Sequence, residues 1–231
     1  IISEIEKKDL LISIASYLIE ELGYIDHGDK GVYFYYGPTL KKEVYNASAI
    51  ISAFLIKLGL RYEMDSYKQL GERGICYICH KQNKDGSWFY AGKPERATID
   101  CFHQSYVLKA ICSVRTYLSF DVEEVVTKGV NFYKSLFVEG KDSIRPQRYD
   151  KRFTPRNTWL FVKVDGRDIA EAVIFFTKYM PDNEILKKLY HYTYKHFFNK
   201  KNGYMYPEIF IYGKNRIPYI EFKAWFLYAF Q

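Results

Sequence analysis

The sequence repeats one pattern four times. A segment of helical periodicity, charged along one face, runs through a turn, usually with Gly and aromatic residues, into a second, strongly apolar helix. The first copy runs from Ile5–Leu22 through Gly31–Gly37 to Tyr45–Leu55, and the second from Tyr67–His80 through Asp85–Tyr90 to Asp100–Leu108. The third runs from Val122–Phe137 through the loop 139–160 to Asp165–Phe176, and the fourth from Glu184–Phe198 through Asn202–Tyr206 to Tyr219–Phe230. The second helices start near Asn46, Asp100, Asp165 and Tyr219, a pitch of about 54 residues, stretched once by the Arg/Pro-rich loop Lys141–Arg156.

Helix pairs that differ in this way predict two layers, a polar outer helix facing solvent and an apolar inner helix buried behind it. The expected fold is all-α: an α/α toroid, a small or incomplete barrel of about four hairpins, spanning residues 1–231 as one domain. The chain starts on an outer helix at Ile1 and ends on an inner one, so one or two N-terminal hairpins are expected to be missing.

Composition narrows the class. Of the 231 residues, 48% are hydrophobic and 26% charged, which supports a packed core and excludes disorder. No unbroken apolar run reaches membrane-spanning length and no signal peptide is read, so a cytoplasmic location is expected. The net charge of +7 favours an anionic partner, but no dense basic run or nucleic-acid motif is present, and nucleic acid is not the expected partner. Aromatics reach 19%, with 23 Tyr; such an excess suits either half-buried helix faces or a groove that stacks on sugars. Cys76, Cys79, Cys101 and Cys112 are expected to be free thiols. A zinc site from Cys76, Cys79, Cys101 and His103 is the alternative; no metal or cofactor is otherwise expected.

The inner helices all run the same way, so their N-termini are expected to share one rim, where unpaired N–H groups favour anions. That rim carries the polar residues of otherwise apolar helices. Asp100, His103, Asp165 and Glu221 are the candidate catalytic residues, and Asn46, Trp88, Tyr90, Arg167, Tyr206 and Tyr219 the candidate binding residues. Asp100, Asp165 and Asn46 could each be a helix cap and nothing more. Paired carboxylates would serve glycosidic cleavage; His with Tyr could instead take the proton α to a uronate carboxylate, with Arg167 neutralising it.

Gln82-Asn-Lys-Asp-Gly-Ser-Trp88 resembles the Q-x-x-x-G-x-W repeat of the terpenoid-cyclase and prenyltransferase toroids, where the Gln caps a helix and stacks on the Trp. Neither a D-x-D-D nor a D-D-x-x-D motif is present, so isoprenoid cyclisation is disfavoured. Ile99–Leu108, with Asn46 upstream and Ile217–Trp225 downstream, resembles prokaryotic toroid proteins related to six-hairpin glycosidases and associated with surface-polysaccharide biosynthesis. In that set a His tends to stand at position 167 and an Arg-aromatic pair at 221–222. The resemblance implies a carbohydrate-active protein, a glycoside hydrolase or a uronate lyase or epimerase, acting on an acidic or amino-sugar polymer. The alternatives are a non-catalytic toroid that binds a glycan or a biosynthetic partner, and an isoprenoid-handling enzyme.

Overall fold

The computed structural model describes residues 3–92, 98–153, 162–201, 203–210, 212–216 and 220–229, with backbone alone at 153, 162, 163, 220–223 and 225. Eight α-helices account for most of these residues, in four outer–inner pairs. The outer helices are α1 (Glu4–Ser16), α3 (Asp65–His80), α5 (Glu123–Ser135) and α7 (Asn183–His196). The inner helices are α2 (Tyr45–Tyr62), α4 (Cys101–Cys112), α6 (Gly166–Lys178) and α8 (Ile220–Ala229). All eight fall where the periodicity places them.

Strands were not foreseen in the returns from outer to inner helix. Among the described residues, three of the four returns contain an antiparallel hairpin: β1 (Tyr24–Asp26) with β2 (Val32–Phe34), β3 (Phe137–Glu139) with β4 (Ile144–Pro146), and β6 (Phe198–Asn199) with β7 (Tyr204–Met205). A further sheet pairs β5 (Val162–Asp165) with β8 (Glu208–Phe210), and β8 with β9 (Gly213–Lys214).

The chain packs as two compact units, residues 1–97 with 106–130, and residues 98–105 with 131–231. Helices α4 and α5 contribute to both. In the first unit α2 and α3 lie against each other over glycines. A Cβ on Gly71 would sit 2.5 Å from the Ser52 carbonyl oxygen, and one on Gly74 2.0 Å from the Ser52 hydroxyl, so a larger residue at either would force the helices apart. Its core includes Val32, Phe34, Leu55 and Leu58, with Ala15 of α1 packed in from outside.

The Gln82–Trp88 segment has a structural role in this unit. Gln82 Nε2 donates to the carbonyls of Gly86 (3.1 Å) and Val125 (2.8 Å), tying the turn to α5. The bond goes to a carbonyl inside α5, not to a helix cap. Trp88 is 1% exposed, and its Nε1 donates to the Ile78 carbonyl at 2.9 Å. Gly86 has φ +90°, and a Cβ there would lie 2.2 Å from the Lys128 carbonyl oxygen, so only glycine lets the turn approach α5.

The second unit is built around α6, which is buried from Gly166 to Phe176 except for half-buried Arg167. Phe175 and Phe176 pack edge-on with centroids 5.2 Å apart, and Tyr133 stacks on Phe176 at 5.8 Å. The inner–outer contrast holds for α4 and α6, neither of which exposes a residue before Thr177, and for amphipathic α5 and α7. It fails at α8, where Leu227 is 66% and Tyr228 62% exposed. The helix buries Phe226, and among the described residues nothing covers its opposite side.

Candidate functional site

The site is assembled where the chain after β4 lies along the approach to α4. Cys101 N–H donates to the Arg148 carbonyl and Asp150 N–H to the Ile99 carbonyl, both at 2.9 Å, with Asp100 bridged to Tyr149. This short antiparallel pairing delivers Arg148 next to Asp100.

Asp100 then organises the first turn of α4. One carboxylate oxygen accepts the backbone N–H of His103 at 2.9 Å, as a helix cap does. The other lies 2.6 Å from His103 Nδ1. Burial opposes the charge of Asp100, but its bonds to His103 and the charges of His103 and Arg148 outweigh burial, and its pKa lies below the ordinary carboxylate value. An ionised carboxylate can only accept, so in this contact Nδ1 carries the hydrogen. The carboxylate side chain is 5% and the imidazole 25% exposed, so the imidazole is the accessible end of the pair.

The start of α6 repeats the device with a different side chain. Asp165 caps the helix through the Arg167 N–H at 2.9 Å and grips the Arg167 side chain with Nε at 3.1 Å and Nη2 at 2.7 Å. Arg148 Nη1 lies 3.7 Å from the same carboxylate and donates to Asp168 Oδ1 at 2.6 Å. Both guanidiniums also pack over the Phe102 ring, Arg148 at 5.3 Å and Arg167 at 5.7 Å.

Asp168 is fully buried, and its Oδ2 has no hydrogen-bond partner among the described residues. Burial and the charges of Asp165 and Asp100 push its pKa well above the usual carboxylate range, against the pull of Arg148. One turn deeper, Ser105 Oγ donates to Glu171 Oε2 at 3.2 Å. Arg148 and Glu171 were missed as site residues. The readable signal for Arg148 was three acids at inner-helix starts that burial would force to find a cation.

The expected constellation is therefore brought together in part. Asp100, His103, Asp165 and Arg167 converge, but each aspartate is committed to a helix cap and to a side chain, His103 or Arg167, rather than standing as a free acid facing a cavity. Asn46 lies in the first turn of α2, in the other unit. Val44, not Asn46, holds the cap position, and Asn46 Oδ1 is buried without a hydrogen-bond partner among the described residues. Trp88 is buried in that unit and presents no face for stacking, while Tyr90 is half-buried there. Tyr206 is half-buried, its hydroxyl accepting from Asn199 Nδ2 at 3.0 Å. Tyr219 and the Glu221 side chain lie outside the described residues. Among those described, no group of three or more His, Cys, Asp or Glu is placed to hold a metal ion, and Cys76, Cys79, Cys101 and Cys112 are free thiols. No helix among them is long and apolar enough to cross a membrane.

The chain matches no protein-family model and no curated protein sequence. Its fold does match solved structures. An alpha-mannanase of family GH76 from Bacteroides thetaiotaomicron superposes with a TM-score of 0.63 at 8% identity, covering 88% of this chain and 59% of its own. A D-mannose isomerase gives 0.64 at 11% identity over 90% of this chain and 57% of its own. A novel alpha-amylase from Clostridium perfringens gives 0.60 at 8% identity over 98% and 66%. The fold is the α/α toroid. The chain spans 57–66% of the length of these neighbours.

Proposed function

We propose that this chain is a carbohydrate-active protein in which His103, oriented by Asp100, moves a proton at a sugar carbon next to a carbonyl or carboxylate, with Arg167, which packs on the same Phe102 ring, to hold the negative charge that develops. The observation that carries the reading is the 2.6 Å contact between His103 Nδ1 and a buried, ionised Asp100. That pairing fixes one tautomer and makes Nε2 the working nitrogen. In the forward step Nε2 takes the proton and the C–H electron pair moves into a new C=C bond. The oxygen left with the charge sits near a guanidinium. A proton delivered from water to the other face gives epimerisation; return of the proton to the former carbonyl carbon, with the hydroxyl proton passing to the former carbonyl oxygen, gives isomerisation; and departure of a β-substituent with its bonding pair gives lyase chemistry.

The mannanase, isomerase and amylase among the neighbours support a sugar substrate at the level of fold, and of the three only the isomerase needs a proton moved at carbon. Hydrolysis by paired carboxylates fits less well, because Asp100 is bound to His103, Asp165 to Arg167, and Asp168 is buried. The same commitment of both aspartates favours one second reading, a toroid that binds a glycan without turning it over.

The test is incubation in D2O with neutral, amino-sugar and uronate saccharides, read by mass spectrometry, for wild type, His103→Ala and Asp100→Asn. Deuterium gained at a sugar carbon, and lost in both variants, is the expected result. Binding without deuterium uptake gives the second reading, and uptake that survives His103→Ala overturns the assignment.

A further inference from the structure

A second feature of the same unit bears on what is bound. Tyr206, Phe210, Tyr212, Gly213, Lys214 and Arg216 line an open cleft of about 490 Å3, within the range of ligand-binding clefts. Phe210 and Tyr212 are stacked, with centroids 5.3 Å apart and planes within 3°. Tyr212 is 75% exposed, so its ring meets Phe210 on one face and offers the other to solvent. Lys214 Nζ sits 4.8 Å above the Tyr206 ring and donates to the His196 carbonyl at 2.5 Å. The six lining residues include two cations and no acid. The nearby Glu208 is held by Asn215 Nδ2 at 2.9 Å.

We propose that this cleft is a subsite for an anionic saccharide. The exposed tyrosine face would stack on the C–H face of a sugar ring, and Lys214 and Arg216 would take its carboxylate or other acidic substituent. The proposal rests on the reading of His103 given above, because the cleft is built on the sheet that ends at that site. Asp165 pairs with Glu208 across β5 and β8, Gly166 N–H donates to the Pro207 carbonyl at 2.8 Å, and Phe210 pairs with Gly213 across β8 and β9. Adjacent strands are about 4.8 Å apart, so β9 stands roughly 10 Å from the strand that positions Asp165 and Arg167. That offset suits an oligosaccharide reaching across the sheet. A nucleic acid would use the same stacking and charge, but the carbohydrate-type fold and the aspartate-backed site on one sheet favour the sugar.

Calorimetry with a tetragalacturonate, a neutral mannotetraose and a short single-stranded oligothymidylate tests it, on wild type, Tyr212→Ala, the double variant Lys214→Ala/Arg216→Ala, and His103→Ala. Tetragalacturonate is expected to bind about tenfold or more weakly to the first two variants, with mannotetraose comparably weak on wild type. His103→Ala is expected to hold its affinity within about twofold while losing deuterium exchange. Unchanged affinity in both cleft variants overturns the subsite while leaving the His103 reading intact. Equal binding of the neutral sugar overturns the anionic assignment, and tighter binding of oligothymidylate gives the cleft to nucleic acid. Exchange surviving in His103→Ala would instead remove the function at the dyad without touching the binding result. Circular dichroism and melting curves of the exposed-site variants, expected to match wild type, exclude misfolding as the cause.

Discussion

The starts of α4 and α6 use one local design for two ends. In each, an aspartate just before the helix accepts a first-turn N–H at 2.9 Å and binds the side chain of the residue that donates it, His103 at 2.6 Å or Arg167 at 2.7 Å. The cap removes an orphan donor and places the carboxylate at the positive end of the helix dipole. The two differ in the head group. Arginine keeps its charge at any accessible pH and can only attract, whereas imidazole can give and take a proton. Within one unit the chain thus sets a guanidinium at one helix start and an imidazole at the other. Arg148 links them, reaching Asp168 and Asp165 directly and lowering the pKa of Asp100 by its charge.

If Arg148 couples the two starts, its removal has the largest effect. Arg148→Met takes the shared cation away from buried Asp165 and Asp100 and removes the hydrogen-bond donor to the Asp168 carboxyl. The expected loss is about 3–5 kcal/mol in chemical denaturation, the usual range for breaking a buried ion pair. Arg148→Met/Asp168→Asn is expected to regain little of it, since the folded chain already keeps a proton on Asp168 and the lost charge is the one facing Asp165 and Asp100. A loss below about 1 kcal/mol, the level of an exposed pair, would mean that the two helix starts stand independently.

The difference between the heads is tested at the caps. Asparagine still caps a helix, so Asp100→Asn and Asp165→Asn are both expected to preserve the local fold. Only Asp100→Asn removes the charge that holds Nδ1–H, and proton exchange at the sugar is expected to fall about 10²–10⁴-fold there, with a smaller, binding-type loss at Asp165. Stability gives an independent reading. Because the folded pKa of Asp100 is depressed, its contribution is present above the unfolded value of about 3.9 and is lost as pH falls through the folded value. Asp100→Asn therefore flattens the acid side of the stability curve. An unchanged acid limb would place the stabilising charge elsewhere.

Periodicity makes the helices legible, because a 3.6-residue apolar stripe against an all-apolar neighbour needs no tertiary information. The hairpins β1–β2, β3–β4 and β6–β7 are two or three residues long, too short for an alternating pattern to register. Asp100, His103, Asp165 and Arg167 stand out as polar residues on buried helices. Arg148 does not, because it lies among other arginines in a loop, and only the pairing of 148–150 with 99–101 sets it apart. Trp88 misleads for the opposite reason. An aromatic after Gly-Ser in a loop reads as exposed, but Gly86 and Gly129 let the turn and its indole close onto α5, where a Cβ on Gly129 would meet the Trp88 ring at 3.0 Å.

The smallest expected effect sharpens the comparison from the buried side. Asp168 has no counterpart among the α4 contacts, and its pKa is raised where that of Asp100 is lowered. The sign therefore reverses. The folded chain keeps a proton on Asp168 that the unfolded chain has released above about pH 3.9, so this residue's contribution declines as pH rises toward its folded value. Asp168→Asn removes that decline and can still accept from Arg148 through its amide oxygen. Melting curves from pH 4 to 9 are expected to show little change at the acid end and a relative gain over wild type that grows with pH. A relative loss that grows with pH would mean that Asp168 is ionised in the folded protein. Arg148 would then pair with it as fully as Arg167 pairs with Asp165, and α6 would hold two fixed ion pairs where α4 holds a single Asp–His contact.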